Sequence, residues 1–161
     1  MKLSSNEEYG LRCLLRLAYE GPGGSLTLPE IGHAEGVSEA YAAKIMRILR
    51  RGGFVKSARG KIGGYTLARP AAEIVLGDVI DELGGRFFEN DFCERHTGQM
   101  EACTHSGVDC SLRSLWKALQ VVVDDVLRKT TLQDLMRDEK QMTVLVTQLA
   151  GGGFSLPVKP T

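Results

Sequence analysis

Residues 27–53 carry the start and stop signals of two helices joined by a short turn, and no other feature constrains the fold as strongly. Thr27 and Glu30 have the spacing of a capping box, which predicts a short helix that ends at Gly36. Ser38 predicts the start of a second helix, because serine is a strong N-cap residue. Two helices joined by a short turn that contains glycine indicate a helix-turn-helix. The apolar face of the second helix is formed by Tyr41, Ile45, Ile48 and Leu49.

Two short β-prone runs follow directly, FVKSAR and GYTLAR, separated by the glycine-containing segment GKIGG. This pattern predicts a β-hairpin. A hairpin after a helix-turn-helix indicates a winged helix, with Arg59, Gly60 and Lys61 at the tip of the wing. An amphipathic first helix precedes the motif, and VLGDVIDELGG predicts a fourth helix that ends at Gly84. The expected fold is mostly α with a small β-hairpin, in which residues 1–84 form the winged-helix domain.

Basic residues are concentrated in this domain, although the chain as a whole has 20 basic and 20 acidic residues and a formal net charge of zero. No acidic residue accompanies the lysines and arginines between positions 44 and 69. Because these cations lie on the elements that a winged helix presents to DNA, they predict binding to double-stranded DNA. The alternative is that they form only a solvated surface. The residues expected to contact DNA are Ser38, Glu39, Ala40, Tyr41, Lys44 and Arg47 on the second helix and Arg59 and Lys61 on the wing.

Three cysteines, Cys93, Cys103 and Cys110, lie within a glycine-, histidine- and charge-rich segment at residues 85–110. In a chain without an export signal, clustered cysteines indicate metal ligands or redox groups more often than a disulfide framework. The wide spacing favours an iron–sulfur cluster over structural zinc, which usually takes closely paired cysteines. Unliganded thiols or a regulatory disulfide remain alternatives. The fourth cysteine, Cys13, lies among leucines and is expected to be a buried core residue.

Residues 111–129 predict a long helix with a broad apolar stripe that needs a partner. We interpret it as a homodimerisation helix. Thr131 and Asp134 form a further capping box, so residues 111–137 are expected to contain the dimerisation helix and a short helix after it. Residues 138–161 are expected to form a C-terminal segment with a flexible end. The residues expected in the dimer interface are Leu112, Leu115, Trp116, Leu119, Val123 and Val126.

The N-terminus lacks a basic-then-apolar signal pattern, and no apolar run approaches the ~18 residues of a membrane span. A cytoplasmic protein without membrane contact is therefore expected. The sequence also contains no convergent acid/base pair, nucleophile elbow or phosphate-binding loop, and the segment RGKIGG lacks the ending of a P-loop. We therefore expect that the protein is not an enzyme.

The opening MKLSSNEEYGLRCLLRLA, the wing RGKIGGYTLARP, and the later segments CSLRSLWKALQ and TTLQDL together resemble the Rrf2 family of winged-helix regulators. The resemblance covers about residues 1–137. It implies a homodimer whose long helix pairs with its symmetry mate, a pseudo-palindromic DNA operator and, in many members, an iron–sulfur cluster held by the cysteine segment.

The resemblance also implies which residues could hold the cluster. Members of the IscR type carry a histidine at the position of Arg113, so their ligand set does not transfer. Members of the NsrR type use three cysteines and an acidic residue of the other protomer, which corresponds to Glu8. Members of the RsrR type use two cysteines, a glutamate and a histidine, and here the last two would be Glu8 and His33. The implied ligands are thus Cys93, Cys103, Cys110, Glu8 and His33, and both [2Fe-2S] and [4Fe-4S] remain open.

Other roles for these ligands are also consistent with the sequence. Glu8 stands three residues after Ser5, so it could complete a capping box there. His33 could cap the C-terminal end of its short helix, where the helix dipole favours imidazolium. His96 and His105, which lie within the cysteine segment, could replace Glu8 or His33 as ligands.

These observations predict a homodimeric, sequence-specific transcriptional regulator whose DNA affinity depends on an iron–sulfur cluster that senses redox state, nitric oxide or iron supply. A cluster-free regulator of the same fold, responding to a small molecule or a protein partner, is the first alternative. The second is a metal-binding or redox protein that uses its winged helix for protein contacts.

Overall fold

The structure, a computed structural model, describes residues 4–58, 63–86, 88, 97 and 110–149. Seven α-helices and one hairpin are present in these residues, with a single 3-10 turn at Ala71–Glu73. In chain order the elements are α1 (Ser5–Tyr19), α2 (Leu28–Glu35), α3 (Glu39–Arg51), β1 (Val55–Ser57), β2 (Tyr65–Leu67), α4 (Leu76–Leu83), α5 (Ser111–Arg128), α6 (Leu132–Leu135) and α7 (Glu139–Leu149).

The caps predicted for the helix-turn-helix are present. The backbone N–H of Thr27 donates to Oε2 of Glu30 at 2.7 Å, which completes the capping box of α2. Gly36 ends α2 with φ of 66°, a left-handed conformation that glycine adopts without steric cost. Ser38 then caps α3 by accepting a hydrogen bond from the N–H of Tyr41 at 3.2 Å.

The start of α1 differs from one of the alternatives drawn from the sequence. Ser4 is the N-cap, and its backbone N–H donates to Oε2 of Glu7 at 2.8 Å. Glu7 is only 5% exposed, so this carboxylate fills the third helical position and is packed there. The capping box that pairs Ser5 with Glu8 is therefore wrong, because the helix takes its cap one residue earlier. Glu8 is left exposed and has no capping role.

The wing is an antiparallel hairpin, as predicted from the sequence. Val55 lies opposite Leu67, and Ser57 lies opposite Tyr65. A bridge between Leu26 and Tyr65 adds the segment before α2 to the other edge of β2. The tip of the wing, with Arg59, Gly60 and Lys61, lies outside the described residues. Strand β2 is thus paired with β1 on one side and with the start of the helix-turn-helix on the other.

The apolar core lies between α1, the helix-turn-helix and α4. The short helix α6 also contributes to it, since Leu132 is fully buried although it follows the long helix. Two backbone hydrogen bonds bring the chain back to this core, from Leu76 N–H to the Thr130 carbonyl at 2.9 Å and from Leu132 N–H to the Ile74 carbonyl at 2.8 Å. The largest buried core residues are Leu14, Leu17, Ile31, Ile45, Met46, Leu49, Ile74 and Leu132.

Ion pairs join the long helix α5 to α4. Arg128 contacts Asp78 at 3.2 Å and Asp81 at 2.9 Å. Arg86, just after α4, contacts Asp124 of α5 at 2.8 Å and Asp81 at 3.6 Å. Because Asp81 contacts both arginines, these charges form a network rather than isolated pairs. The network attaches the C-terminal half of α5 to the winged-helix domain.

The C-terminal segment contains a helix that the sequence analysis did not identify. Helix α7 begins after Asp138, whose side chain accepts a hydrogen bond from the N–H of Gln141 at 2.8 Å. Residues 150–161, where a flexible end is predicted, lie outside the described residues. Among the residues that are described, no helix combines the length and apolar character that crossing a membrane requires.

Candidate functional site

Helix α3 has two faces of opposite character. Ala42, Ile45, Met46 and Leu49 are buried against the core. The residues predicted to contact DNA lie on the other face: Ser38, Glu39, Ala40, Lys44 and Arg47 are exposed, and Tyr41 is half-buried. Because the buried face is apolar throughout, α3 is held in one orientation with its polar face outward.

The exposed face of α3 is basic over most of its length. Lys44, Arg47 and Arg51 are separated by three and four residues, so they lie along one stripe of the helix. Arg51 is partly neutralised, because it contacts Glu82 of α4 at 2.7 Å. Arg50 and Lys56 are further exposed cations near the end of α3 and on β1. The stripe is suited to the phosphates that flank a groove as well as to base edges.

The recognition-type helix α3 is joined to the first turn of α1 by a polar contact. The hydroxyl of Tyr41 donates to Oδ1 of Asn6 at 3.1 Å. Nζ of Lys44 lies 3.5 Å from the same oxygen and 5.8 Å from the centre of the Tyr41 ring. Partial burial raises the pKa of Tyr41 above its ordinary value, with a smaller contribution from Tyr9. The phenol therefore stays protonated at neutral pH and remains a hydrogen-bond donor.

Aromatic and charged contacts extend this link to Glu8. The rings of Tyr9 and Tyr41 pack edge to face, with centroids 5.8 Å apart. The guanidinium of Arg12 lies 5.5 Å from the centre of the Tyr9 ring and also contacts Oε1 of Glu8 at 2.8 Å. Glu8, Arg12, Tyr9 and Tyr41 thus form a continuous series of contacts. It connects a predicted cluster ligand to the helix predicted to read DNA.

Cys110 is well placed to act as a ligand, whereas Cys13 is not. Cys110 is half-buried, forms no disulfide and is the N-cap residue of α5. The N-terminal end of a helix favours an anionic neighbour, which a metal-bound thiolate is. Cys13 is fully buried in α1, and burial, with a smaller contribution from Glu35, raises its pKa to about 12. It is a neutral core thiol, which confirms the expectation that it is buried.

The remaining predicted ligands are placed only in part. His33 is exposed on α2, and its imidazole makes no hydrogen bond with any described residue. Cys93 and Cys103, together with His96 and His105, lie outside the described residues. Within the described part of one chain, no three His, Cys, Asp or Glu side chains come together to hold a metal ion. Glu8, His33 and Cys110 therefore do not form a site by themselves in a single protomer.

The long helix α5 exposes the apolar stripe predicted for dimerisation. Leu112 is 56% exposed, Trp116 42% and Leu119 43%. Leu115 is exposed as well, whereas Val123 and Val126, nearer the network with α4, are half-buried. A run of large apolar side chains at spacings of three and four residues is rarely left in water. The N-terminal half of α5 thus has an apolar face that its own chain does not cover within the described residues.

Buried Gln120 fixes the chain where it enters the cysteine segment. Its Oε1 accepts a hydrogen bond from the N–H of Phe88 at 3.0 Å, and its Nε2 donates to Oδ1 of Asp124 at 2.7 Å. The residue is 7% exposed although it lies on α5. Cys110 starts the same helix ten residues earlier. Both ends of the cysteine segment are thereby attached to α5.

Sequence reasoning missed Asn6, Tyr9 and Gln120 as members of this site. Asn6 and Tyr41 are 35 positions apart, so no local pattern indicates their contact. A signal for Gln120 does exist, because it is a polar residue in the otherwise apolar segment ALQVVV. A polar side chain in such a position usually has a specific hydrogen-bond partner.

Comparison with known proteins gives a consistent result. The family model described as "Rrf2: Iron-dependent Transcriptional regulator" matches residues 3–138. Protein rrf2 of Nitratidesulfovibrio vulgaris is 33% identical over 138 residues, which cover 86% of this chain and 89% of that protein. Protein aau3 of Rhizobium meliloti is 34% identical over 168 residues, covering 99% of this chain and 97% of the relative.

Solved structures agree with this fold. IscR of T. potens superposes with a TM-score of 0.66 at 30% identity, covering 88% of this chain and 92% of its own. CymR, described as the global cysteine regulator of B. subtilis, superposes with a TM-score of 0.64 at 31% identity, covering 86% and 99%. The winged-helix fold expected from the sequence is confirmed. The chain belongs to the Rrf2 family of DNA-binding transcriptional regulators.

Proposed function

We propose that the chain is a homodimeric regulator that binds a pseudo-palindromic operator with an affinity set by an iron–sulfur cluster, either [2Fe-2S] or [4Fe-4S]. The signal would be redox state, nitric oxide or iron supply. The observation that carries this proposal is the contact series from Glu8 through Arg12 and Tyr9 to Tyr41. Through these contacts, a change at a cluster ligand on α1 would affect the position of α3, the helix proposed to read DNA.

The DNA-contacting role rests on the exposed stripe of α3. Lys44 and Arg47 are exposed on a helix whose opposite, apolar face is buried in the core. Arginine and lysine read guanine edges in the major groove, and neighbouring cations hold phosphates. Arg59 and Lys61 of the wing would enter the adjacent minor groove. One such domain recognises one half-site, so a dimer explains a pseudo-palindrome.

The chemistry of the donors fits the proposed group. Cys93, Cys103 and Cys110 would hold the cluster, with Glu8 or His33 as an oxygen or nitrogen ligand. When bound, such a cluster supplies a centre that gains or loses electrons and reacts with nitric oxide. A cross-protomer ligand is consistent with the fact that Glu8, His33 and Cys110 do not come together within one chain.

The chain's own residues would transmit the change. When Glu8 is not a cluster ligand, its carboxylate contacts Arg12, and both side chains are about half exposed. If Glu8 is engaged elsewhere, Arg12 loses this partner and its position over the Tyr9 ring is no longer fixed by the ion pair. Tyr9 packs on Tyr41, so the position of α3 relative to α1 responds. Such a change would alter the distance between the two α3 helices of a dimer and hence the fit to both half-sites.

The proposal is tested by purifying the full-length protein without oxygen and recording visible absorption and electron paramagnetic resonance spectra. A DNA duplex selected by the protein from random sequence then serves as the operator in fluorescence anisotropy titrations. We expect a brown protein whose operator affinity changes when nitric oxide or ferricyanide bleaches the visible bands. A colourless protein that still binds the selected duplex would instead indicate a regulator without a cluster.

A second candidate function is a cluster-free regulator that responds to a small molecule or a protein partner. The similarity to CymR favours it, because that regulator is described by its connection to cysteine and not to iron. The two candidates share the DNA-binding surface and the dimer helix. They differ in whether Cys93→Ala, Cys103→Ala and Cys110→Ala alter the response to the signal.

A further inference from the structure

A cleft in the winged-helix domain is lined neither by residues of α3 nor by any described residue of the cysteine segment. It has a volume of 370 Å³ and is formed by the end of α1, the glycine-rich turn after it, strand β2 and the residues that follow β2. Its walls are mostly apolar and include Ala18, Pro22, Leu67 and Ala71. This volume is at the lower end of the range for small-molecule sites, ~300–1,000 Å³, and an apolar lining is typical of them.

One charged side chain, Arg69, lines this cleft. Its Nε is buried and has no hydrogen-bond partner among the described residues. No carboxylate in the described part of the chain forms an ion pair with Arg69, and its guanidinium lies 5.3 Å from the centre of the Phe54 ring. Stacking on an aromatic ring steadies the cation but gives the N–H group no acceptor. The guanidinium of Arg69 therefore has hydrogen-bonding capacity that no described residue uses.

We propose that the cleft binds a small carboxylate ligand with a short apolar body. The carboxylate would accept hydrogen bonds from the two Nη groups of Arg69, whose planar arrangement suits two carboxylate oxygens. The apolar body would contact Leu67 and the side chains around the end of α1. This inference goes beyond the proposed function, because none of these residues belongs to the predicted cluster site.

The position of the cleft gives such a ligand an effect on DNA binding. Leu67 and Thr66 belong to β2, the strand that returns from the tip of the wing. The segment on the opposite wall, residues 21–23, leads to the bridge between Leu26 and Tyr65 that fixes the base of the wing. A ligand between these two walls would contact both strand β2 and the segment that leads to the bridge with β2. Its binding would therefore bias the orientation of the wing and reciprocally be biased by the operator.

The test uses the full-length protein labelled with ¹⁵N and titrated with hexanoate, followed by amide chemical shifts. Acetate and 1-hexanol are the matched controls, because one keeps the charge without the body and the other keeps the body without the charge. We expect saturable shifts confined to residues 18–23 and 66–71, with hexanoate bound at least about tenfold more tightly than either control. Absence of saturable binding by hexanoate would show that the cleft holds only water and would overturn the proposal.

Two variants then test the role of Arg69. Arg69→Gln should weaken hexanoate binding about tenfold and leave 1-hexanol binding unchanged, since only the charged partner is lost. Arg137→Gln is the control, because Arg137 is also half-exposed but contacts Asp134, and neither residue lines the cleft. Equal hexanoate affinity in Arg69→Gln and wild type would contradict the proposal. A second result would also contradict it. If Arg69→Gln changes only the salt dependence of operator binding, lowering its slope by about one unit, Arg69 contacts a DNA phosphate and not a ligand.

Discussion

The hydroxyl of Tyr41 on α3 donates a hydrogen bond to Oδ1 of Asn6 in the first turn of α1, with 3.1 Å between the two oxygens. The two residues are distant in sequence, and their contact joins the start of the chain to the helix that presents Lys44 and Arg47. Asn6 is two positions before Glu8, so any ligand that moves the first turn of α1 acts close to this hydrogen bond.

Asn6→Ala removes the acceptor and leaves the helix in place. We expect operator affinity to fall by about 1 kcal/mol, or roughly fivefold, because Tyr41 and Lys44 lose the group that positions them. Tyr41→Phe removes the donor and should have a similar effect. Fluorescence anisotropy with the selected operator measures both variants. Wild-type affinity in both would show that the hydrogen bond does not position α3 for DNA.

Glu7 and Glu8 are adjacent, but the structure assigns them different roles. Glu7→Ala should lower the free energy of unfolding by about 1 kcal/mol, since the buried carboxylate caps α1. Glu8→Ala should change it by less than about 0.5 kcal/mol, because the ion pair with Arg12 is half exposed. Denaturant titrations measure these differences.

The spectra of the same two variants provide the functional comparison. Glu8→Ala should alter or weaken the visible absorption, and Glu7→Ala should leave it unchanged. A normal spectrum in Glu8→Ala would exclude Glu8 as a ligand and would direct attention to His33, His96 or His105.

The cysteines offer an internal control for the cluster. Cys93→Ala, Cys103→Ala and Cys110→Ala should each reduce or abolish the visible chromophore while the circular dichroism spectrum stays the same. Cys13→Ala should keep it, because Cys13 is a buried neutral thiol in the core. Full cluster content in all three variants of the cysteine segment would contradict the iron–sulfur proposal. If only Cys103→Ala keeps the chromophore, two cysteines with Glu8 and His33 become the favoured ligands.

Leu119→Asp tests the dimer helix. The substitution would place an unpaired charge in the apolar stripe, so we expect a monomer with much weaker operator binding. Val121→Asp is the matched control: Val121 is 60% exposed and lies about 200° around the helix from Leu119. It should remain a dimer. Sedimentation velocity distinguishes these cases, and a dimeric Leu119→Asp variant would show that the interface lies elsewhere.

The DNA-contacting residues differ in what they should contribute. Lys44→Ala, Arg47→Ala and Arg59→Ala should each weaken operator binding by about 1–3 kcal/mol if they contact base edges. A residue that contacts only phosphate should lower the salt slope by about one unit and leave sequence preference unchanged. Anisotropy titrations at several salt concentrations separate these roles. Unchanged affinity in all three variants would refute the proposed DNA-binding surface.

Local signals account for what the sequence predicts well. The Thr27–Glu30 box, Gly36 and Ser38 define the helix-turn-helix because each cap depends only on residues within one turn. The segment SSNEE is different, since both Ser4–Glu7 and Ser5–Glu8 fit the capping pattern. Tertiary packing selects Glu7, which is buried beside Gly85. No pattern within the first helix could have made that choice.

Long-range contacts account for what the sequence does not predict. The Asn6–Tyr41 hydrogen bond and the unpartnered Nε of Arg69 depend on elements brought together only by folding. Helix α7 was missed for another reason. Met142, Leu145, Val146 and Leu149 have the spacing of one helix face, so a local signal was present in the sequence and was overlooked.

The central claim is that the cluster controls DNA affinity, and one measurement tests it directly. The operator affinity of anaerobically purified protein is determined before and after nitric oxide bleaches the visible chromophore, with the same sample and salt concentration. We predict a change of about 5- to 150-fold, the usual range for coupling between two sites. Equal affinity before and after complete bleaching would contradict the account.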